Sequence, residues 1–412
     1  MKVSEIEVHQ ITLEYHDWIA YEMNHYHGPN RRTICIAHTD TGLVGLGEGR
    51  VTQEDIDRYI GTNPFDWLGD ETSLTLGTAM YDLMGQAAGV PVYKLFGQKQ
   101  RSWVPVASWT VSTHPERMAA AVQHHAAAGY TWMKYHLSPF ENVFDQTEAM
   151  QAVAPEGFKI HYDFTGGGTY DLARELLAKL EKYPIAGCFE DPIDERDLEG
   201  LVQLCRQVQL PIFRHRAPLG ATYELMMGSG SGRIEGHSKL ADAIRAAGLC
   251  AAGNVPLSIQ HVGGNITRAM NLHMHAAFPT GYIHFNNDSE IWSSDVVEER
   301  LEPINGFVRV PEEPGLGVTL DRDELERLAK LELPDPEPWI LRSRFKNGTT
   351  MYIPIASGKG GHFFVRPDWT KGLIPMSYDS PIASDYWDND DSADFAAMWE
   401  RLEREELVIE RA

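Results

Sequence analysis

The chain has 412 residues, a formal net charge of −23, 43% hydrophobic and 23% charged residues. That acidic balance excludes nucleic acid as a natural partner, because binding a phosphate backbone needs a basic face, and no apolar run reaches the roughly 18 residues needed to span a membrane. Four scattered cysteines without a CxxC pair and an N-terminus without an apolar signal core point to a reducing, cytoplasmic setting.

In chain order, residues 1–14 and 32–48 alternate polar and apolar side chains and are predicted strands, the second turning at Thr39–Gly42. Between them, residues 15–31 form a predicted loop carrying Tyr21, His25, Tyr26 and His27 beside Gly28-Pro29. Such a loop could cover a ligand or be an ordinary polar connection, which is the default without further context. Residues 74–89 carry apolar side chains at helical spacing, and a second short helix is predicted at residues 93–96. An α+β unit over residues 1–103 is therefore expected ahead of a different pattern.

That pattern starts with a predicted strand at residues 104–109 and a helix at residues 115–128. Four apolar runs follow, each ending in ionisable groups: Lys134-Tyr135-His136, Asp163, Glu190-Asp191 and Arg214-His215-Arg216. The intervals from Lys134 to Asp163, Glu190 and Arg216 are 29, 27 and 26 residues, close to the roughly 30 residues of one strand–helix unit. Helical patterns at residues 145–153, 171–183 and 197–209 fill the gaps. Strands alternating with helices at this period predict a parallel barrel of the TIM type, with chemistry at the strand ends. After Arg216 a short helix at residues 221–227 is followed, where a strand is due, by Gly228-Ser229-Gly230-Ser231-Gly232, which resembles a flexible link. Helices at 238–247 and 266–278 and strands at 256–261 and 281–285 complete the barrel, over residues 104–330. Residues 331–412 are expected to form a C-terminal extension: a Pro-rich linker, a hairpin turning at Asn347-Gly348, an acidic run at 385–394 and a terminal helix at 395–408.

Carried by Thr41–Glu48, by Asp82-Leu83-Met84-Gly85 through Gly89–Tyr93, by Asp163, by Phe189-Glu190-Asp191-Pro192 and by Pro311–Val318, the chain resembles the enolase superfamily, in its mandelate racemase and muconate lactonising branch. The resemblance covers roughly residues 1–330. It implies a capping α+β domain over a modified barrel, Mg²⁺ held by three carboxylates at successive strand ends, and a base that removes the proton next to a substrate carboxylate. Physically, a divalent cation on the enediolate oxygens stabilises charge that develops only in the transition state. Asp163 and Glu190 match two of the metal positions. The third falls at Arg216, which cannot ligate a cation, so Mg²⁺ is expected to bind weakly at best. The base lysine of the family's Lys-x-Lys motif falls at His136, with Lys134 kept. The strand for the base histidine's aspartate partner falls on the Gly/Ser run, the final-strand glutamate is Asn286, and His261 stands where the second base is expected.

Each residue also has a plainer reading. Asp163 and Glu190 could be residual carboxylates neutralised by Arg214 or Arg216. His136, as a residue type that unperturbed titrates near neutrality, could be a base or a hydrogen-bond donor. Lys134 could bind a substrate carboxylate or only pair with Asp163. His215 could be a loop histidine beside the ligand position, Asp191 a turn residue, and His25, Tyr26, His27 and Asn286 substrate contacts or ordinary polar groups. Three functions compete. The first is proton abstraction from a small sugar acid, leading to dehydration or racemisation in a homo-oligomeric enzyme. The second is a barrel that has lost its metal and binds a ligand or partner. The third is metal-free chemistry in which Arg216 carries the positive charge.

Overall fold

The computed structural model describes residues 1–215, 217–236, 239–334, 336–355 and 375–411. Seven parallel strands run in sequence order around one curled sheet: Ser108–Thr110, Trp132–His136, Lys159–Asp163, Ala186–Glu190, Ile212–Arg214, Gly232–Glu235 and Leu257–Ile259. A helix follows each: Pro115–Ala127, Val143–Val153, Tyr170–Leu180, Leu198–Gln207, Ala221–Met226, Leu240–Gly253 and Asn265–Ala277. Strands packed on both faces must be nearly continuous in burial, and Ala186–Glu190 is buried at every position. Helix starts are set by side-chain caps: Asn142 accepts from the amides of Phe144 and Asp145, and Asp197 from Gly200. The ring closes through irregular backbone, where Ile283 N donates to Leu257 O at 3.3 Å and Ala107 N to Phe285 O at 2.8 Å. The predicted last strand at 281–285 is reduced to a single bridge, Val106 to Phe285.

Two expectations around the barrel are corrected. The predicted strand at 104–109 is split. Trp103–Pro105 pairs antiparallel with Phe307–Arg309, and the barrel begins only at Ser108, since Pro105 has no N–H with which to extend a ladder. The Gly/Ser run does not replace a strand. Gly232–Glu235 is a fully buried strand between Ile212–Arg214 and Leu257–Ile259, and it ends on Glu235. A Cβ on Gly232 would lie 2.8 Å from Ile283 Cδ1 and 3.0 Å from Pro256 O. Glycine marks close approach in a crowded interior here, not flexibility.

Ahead of the barrel, Val3–Leu13, Asn30–Thr39 and Val44–Glu48 form an antiparallel sheet. Helix Leu74–Ala88 lies directly on it, with Gly89 as a left-handed C-cap at φ 65°. The predicted loop at 15–31 is largely a helix, Asp17–Tyr26, whose Ile19, Met23 and Tyr26 are buried at i, i+4 and i+7. Its polar residues dilute the apolar stripe, and His16 gives no side-chain cap, so packing rather than local signal makes it helical.

The extension is a four-stranded antiparallel sheet in the order Ile382–Asp388, Trp339–Phe345, Thr350–Ile355, Val408–Glu410, with helix Ala393–Glu405 against it. The acidic run hides the strand Ile382–Asp388, in which Ile382 and Ser384 are buried while Ala383 is exposed. This sheet rests on the loops after the second and third barrel strands: Ser384 Oγ donates to Phe140 O at 2.5 Å and Tyr378 OH to Phe164 O at 3.2 Å. Among the described residues, no helix is long and apolar enough to cross a membrane.

Candidate active site

Parallel register sets Lys134 beside His161, His136 beside Asp163 and Asp163 beside Glu190. Side chains two apart on a strand share a face, so Lys134 and His136 project into the same space as the carboxylates at the strand ends. Lys134 Nζ lies 2.6 Å from Glu190 Oε2 and 3.0 Å from Asp163 Oδ2, with all three side chains nearly inaccessible to solvent. His136 Nε2 stands 3.1 Å from Asp163 Oδ2, and His161 Nε2 stands 2.8 Å from Glu190 Oε2. His215 Nδ1 reaches Glu190 Oε1 at 2.9 Å, while its amide donates to Asp191 Oδ1 at 3.0 Å.

Burial alone would drive protons onto these acids. For Glu190, the Lys134 ammonium, then His161 and His215, outweigh burial and hold the carboxyl well below its usual range. For Asp163, burial and the neighbouring Glu190 act upward, yet Lys134 and His136 prevail and the carboxyl stays below its ordinary value. Lys134 is raised despite burial, because both carboxylates hold its proton. Asp191 goes the other way: burial and the charges of Glu190 and Asp163 push it well above the carboxylate range.

A cavity of about 390 Å³ adjoins this cluster, lined by Tyr26, His27, Arg31, Arg32, Arg50, Trp109, His136 and Asp288 among others. Trp109 sets its ring edge-on to His136, with centroids 5.7 Å apart. The His136 side chain is 25% exposed, which leaves it reachable from the cavity. Asp288 sits in the left-handed region at φ 67° and accepts from Asn286 Nδ2 at 2.9 Å. Burial raises its carboxyl.

Asp163, Glu190, Lys134, His136 and His215 therefore come together, and Tyr26 and His27 line the cavity above them. Asn286 acts on the cavity through Asp288. His25 does not line it: Nε2 meets Asp388 Oδ1 at 2.5 Å and its ring stacks on Tyr386 of the extension. His261 is buried, with Nδ1 3.1 Å from Asn271 Oδ1. Glu235, on the recovered strand, pairs with Arg233 at 2.8 Å. Arg214 does not neutralise the acids, being engaged by Glu224 at 2.6 Å and Ser229 at 3.0 Å. Arg216 lies outside the described residues. Sequence reasoning missed Asp288, His161 and the arginines of the cavity. His161 was signalled only by its place two residues before Asp163.

A divalent cation suits this cluster. Glu190, Asp191 and His215 bring one ligand atom each within 4.8 Å of one another, and the carboxylate of Asp163 shares Lys134 with Glu190. Two buried carboxylates held ionised are the hard donors such an ion requires.

Residues 117–215 and 236–324 match the family model described as Enolase C-terminal domain-like. Over these residues the barrel is similar to the C-terminal domain of the enolase superfamily. The break in that match, 216–235, contains the short helix Ala221–Met226 and the whole glycine-bearing strand Gly232–Glu235. An arabinonate dehydratase of Saccharolobus solfataricus is 24% identical over 254 residues, covering 59% of this chain and 68% of its own length. An N-succinylamino acid racemase of Thermus thermophilus is 27% identical over 269 residues, covering 61% and 70%. Among solved structures, an enolase from Thermobispora bispora in complex with magnesium and formate superposes with a TM-score of 0.67 at 20% identity, covering 80% of this chain and 93% of the other. The barrel and the antiparallel sheet before it thus share one architecture with that structure.

Proposed function

We propose that this protein is an acid-sugar dehydratase, removing the proton next to the carboxylate of a small sugar acid and expelling the neighbouring hydroxyl as water. The observation that carries this reading is that two proton-handling groups, His136 and Asp288, share one arginine-lined cavity beside the Asp163–Lys134–Glu190 cluster. The dehydratase among its relatives supports it.

The cavity's arginines and His27 supply donors for a carboxylate and several hydroxyls, and Arg32 is itself held over Trp292 at 4.6 Å. His136 takes the carbon-bound proton, with Asp163 at its Nε2 stabilising the imidazolium that forms. Asp288, whose carboxyl burial raises, gives a proton to the departing hydroxyl. The enol left behind collapses to a 2-keto-3-deoxy acid, so one water leaves and no other reactant is needed. Mg²⁺ held by Asp163 and Glu190, with His215 beside them, would neutralise charge building on the substrate carboxylate. Lys134 contributes a fixed positive charge beside the same carboxylates. The dehydratase and racemase among the relatives lend no support to a barrel that has lost its chemistry.

Incubation with a panel of five- and six-carbon aldonates in D₂O with Mg²⁺ tests the proposal by NMR. Formation of a 2-keto-3-deoxy acid that disappears in His136→Gln is expected. Deuterium entry without loss of water would replace dehydration by racemisation, and no exchange with any acid would sink the reading.

A further inference from the structure

One layer deeper in the barrel, a second group of ligating side chains converges. His161 and Cys188 each precede a strand-end carboxylate by two residues, so they share the inward face of Asp163 and Glu190. With His284 from the closing segment, they bring one ligand atom each within 4.8 Å of one another. His161 Nδ1 lies 2.9 Å from His284 Nε2. Its other nitrogen stands 2.8 Å from Glu190 Oε2. Trp132 stacks on His284 with centroids 4.3 Å apart, and Phe213 sets its edge against His161. Around Cys188 the packing is apolar, from Phe213, Ile234 and Ile283.

We propose that His161, Cys188 and His284 bind Zn²⁺ in a site separate from the one at the strand ends. Two imidazoles and a thiolate suit a borderline-soft cation, whereas Mg²⁺ selects oxygen. The two layers are therefore sorted by donor chemistry, hard above and soft below. A metal-ligating histidine commonly turns its second ring nitrogen to a carboxylate, and His161 does so toward Glu190. That contact also ties the inner ion to the orientation of Glu190 above it.

Between the two imidazoles the geometry asks for little movement, and Cys188 Sγ starts within 4.8 Å of both ligand nitrogens. Two nitrogens on one tetrahedral zinc at bond lengths of about 2.0–2.1 Å sit about 3.3 Å apart, a few tenths of an ångström wider than the present pair. Entry of the ion releases the thiol proton of Cys188 to solvent, and the proton shared by the rings moves to Nδ1 of His284. Three protein ligands leave a fourth position for water.

The test incubates the full chain with Zn²⁺ in the presence of excess Mg²⁺, desalts it and measures retained zinc by mass spectrometry. One zinc per chain is expected in the unaltered protein and in Asp163→Asn, with loss in Cys188→Ser and in His284→Gln. Circular dichroism checks that the variants are folded. Because a core substitution could itself disturb folding, Co²⁺ is also added to the unaltered chain, where an intense thiolate-to-cobalt absorption is expected. Zinc retained equally by Cys188→Ser, zinc lost with Asp163→Asn instead, a cobalt spectrum without the thiolate band, or no retained zinc at all would each overturn the proposal.

Discussion

The Lys134 ammonium lies 2.6 Å from Glu190 Oε2 and is itself only 1% exposed. With Asp163 at 3.0 Å on its other side, one cation serves two buried carboxylates. Removing one partner from a buried charge cluster leaves the rest uncompensated, at a cost of about 3–5 kcal/mol. Lys134→Met should therefore lower the thermal midpoint markedly. Added Mg²⁺ or Mn²⁺ should restore more stability to the variant than it gives the unaltered protein, because the ion replaces the missing charge. Thermal unfolding with and without metal measures both effects. A variant as stable as its parent would show that Lys134 is not the neutralising charge.

His136 is reachable but partners the buried Asp163 carboxylate, so His136→Gln, which keeps a donor toward it, should cost about 1–2 kcal/mol, less than Lys134→Met. Loss of a general base typically lowers the rate by about 10²–10⁴-fold. Carbon–hydrogen exchange on a turned-over aldonate should fall by that factor while the variant remains folded, with a melting temperature above that of Lys134→Met. Exchange that survives the substitution would move the base elsewhere in the barrel, with His261 the next residue to replace.

Glu290 gives the stability a pH dependence of known sign. Burial raises its carboxyl from 4.5 to about 7, with Asp288 adding to the rise and Arg268 opposing it. Between these values the unfolded chain has lost the proton that the folded chain keeps, so stability falls as pH rises from about 4.5 to about 7 and the loss is complete above that. A shift of this size corresponds to about 3 kcal/mol. Glu290→Gln keeps a hydrogen-bonding group of similar shape and should flatten this part of the profile. Urea unfolding at pH 5 and pH 8 should then show a smaller difference in the variant than in the parent, and an unchanged difference would remove Glu290 as its source.

Gly232→Ala probes the strand concealed by the Gly/Ser run. Its new methyl would meet Ile283 Cδ1 at 2.8 Å and Pro256 O at 3.0 Å. Overpacking of this kind destabilises by about 1–3 kcal/mol, whereas alanine in a solvated link would be neutral or mildly stabilising. Urea midpoints separate the two outcomes.

Much of the architecture was legible because it rests on local pattern. Apolar runs spaced by one strand–helix unit put Lys134, Asp163, Glu190 and His215 at successive strand ends, and parallel pairing leaves few ways to arrange them. The same pattern misled at 228–232, since glycine signals flexibility in a chain but close approach in a crowded core. Helix Asp17–Tyr26 and strand Ile382–Asp388 escaped notice because their stability comes from a partner surface rather than from caps or alternation.

By itself, the sequence determined the barrel, its order and the chemical character of its mouth, since side-chain period and turn residues act over short stretches. Only tertiary structure decided which charges meet. Lys134, not Arg214, neutralises the carboxylates, because strand register places its ammonium between them. Asp288 faces His136's cavity through a left-handed backbone turn, and His25 is drawn to Asp388 of the extension, more than 360 residues away. Such partners are set by three-dimensional closure, and nothing in a local stretch of residues encodes them.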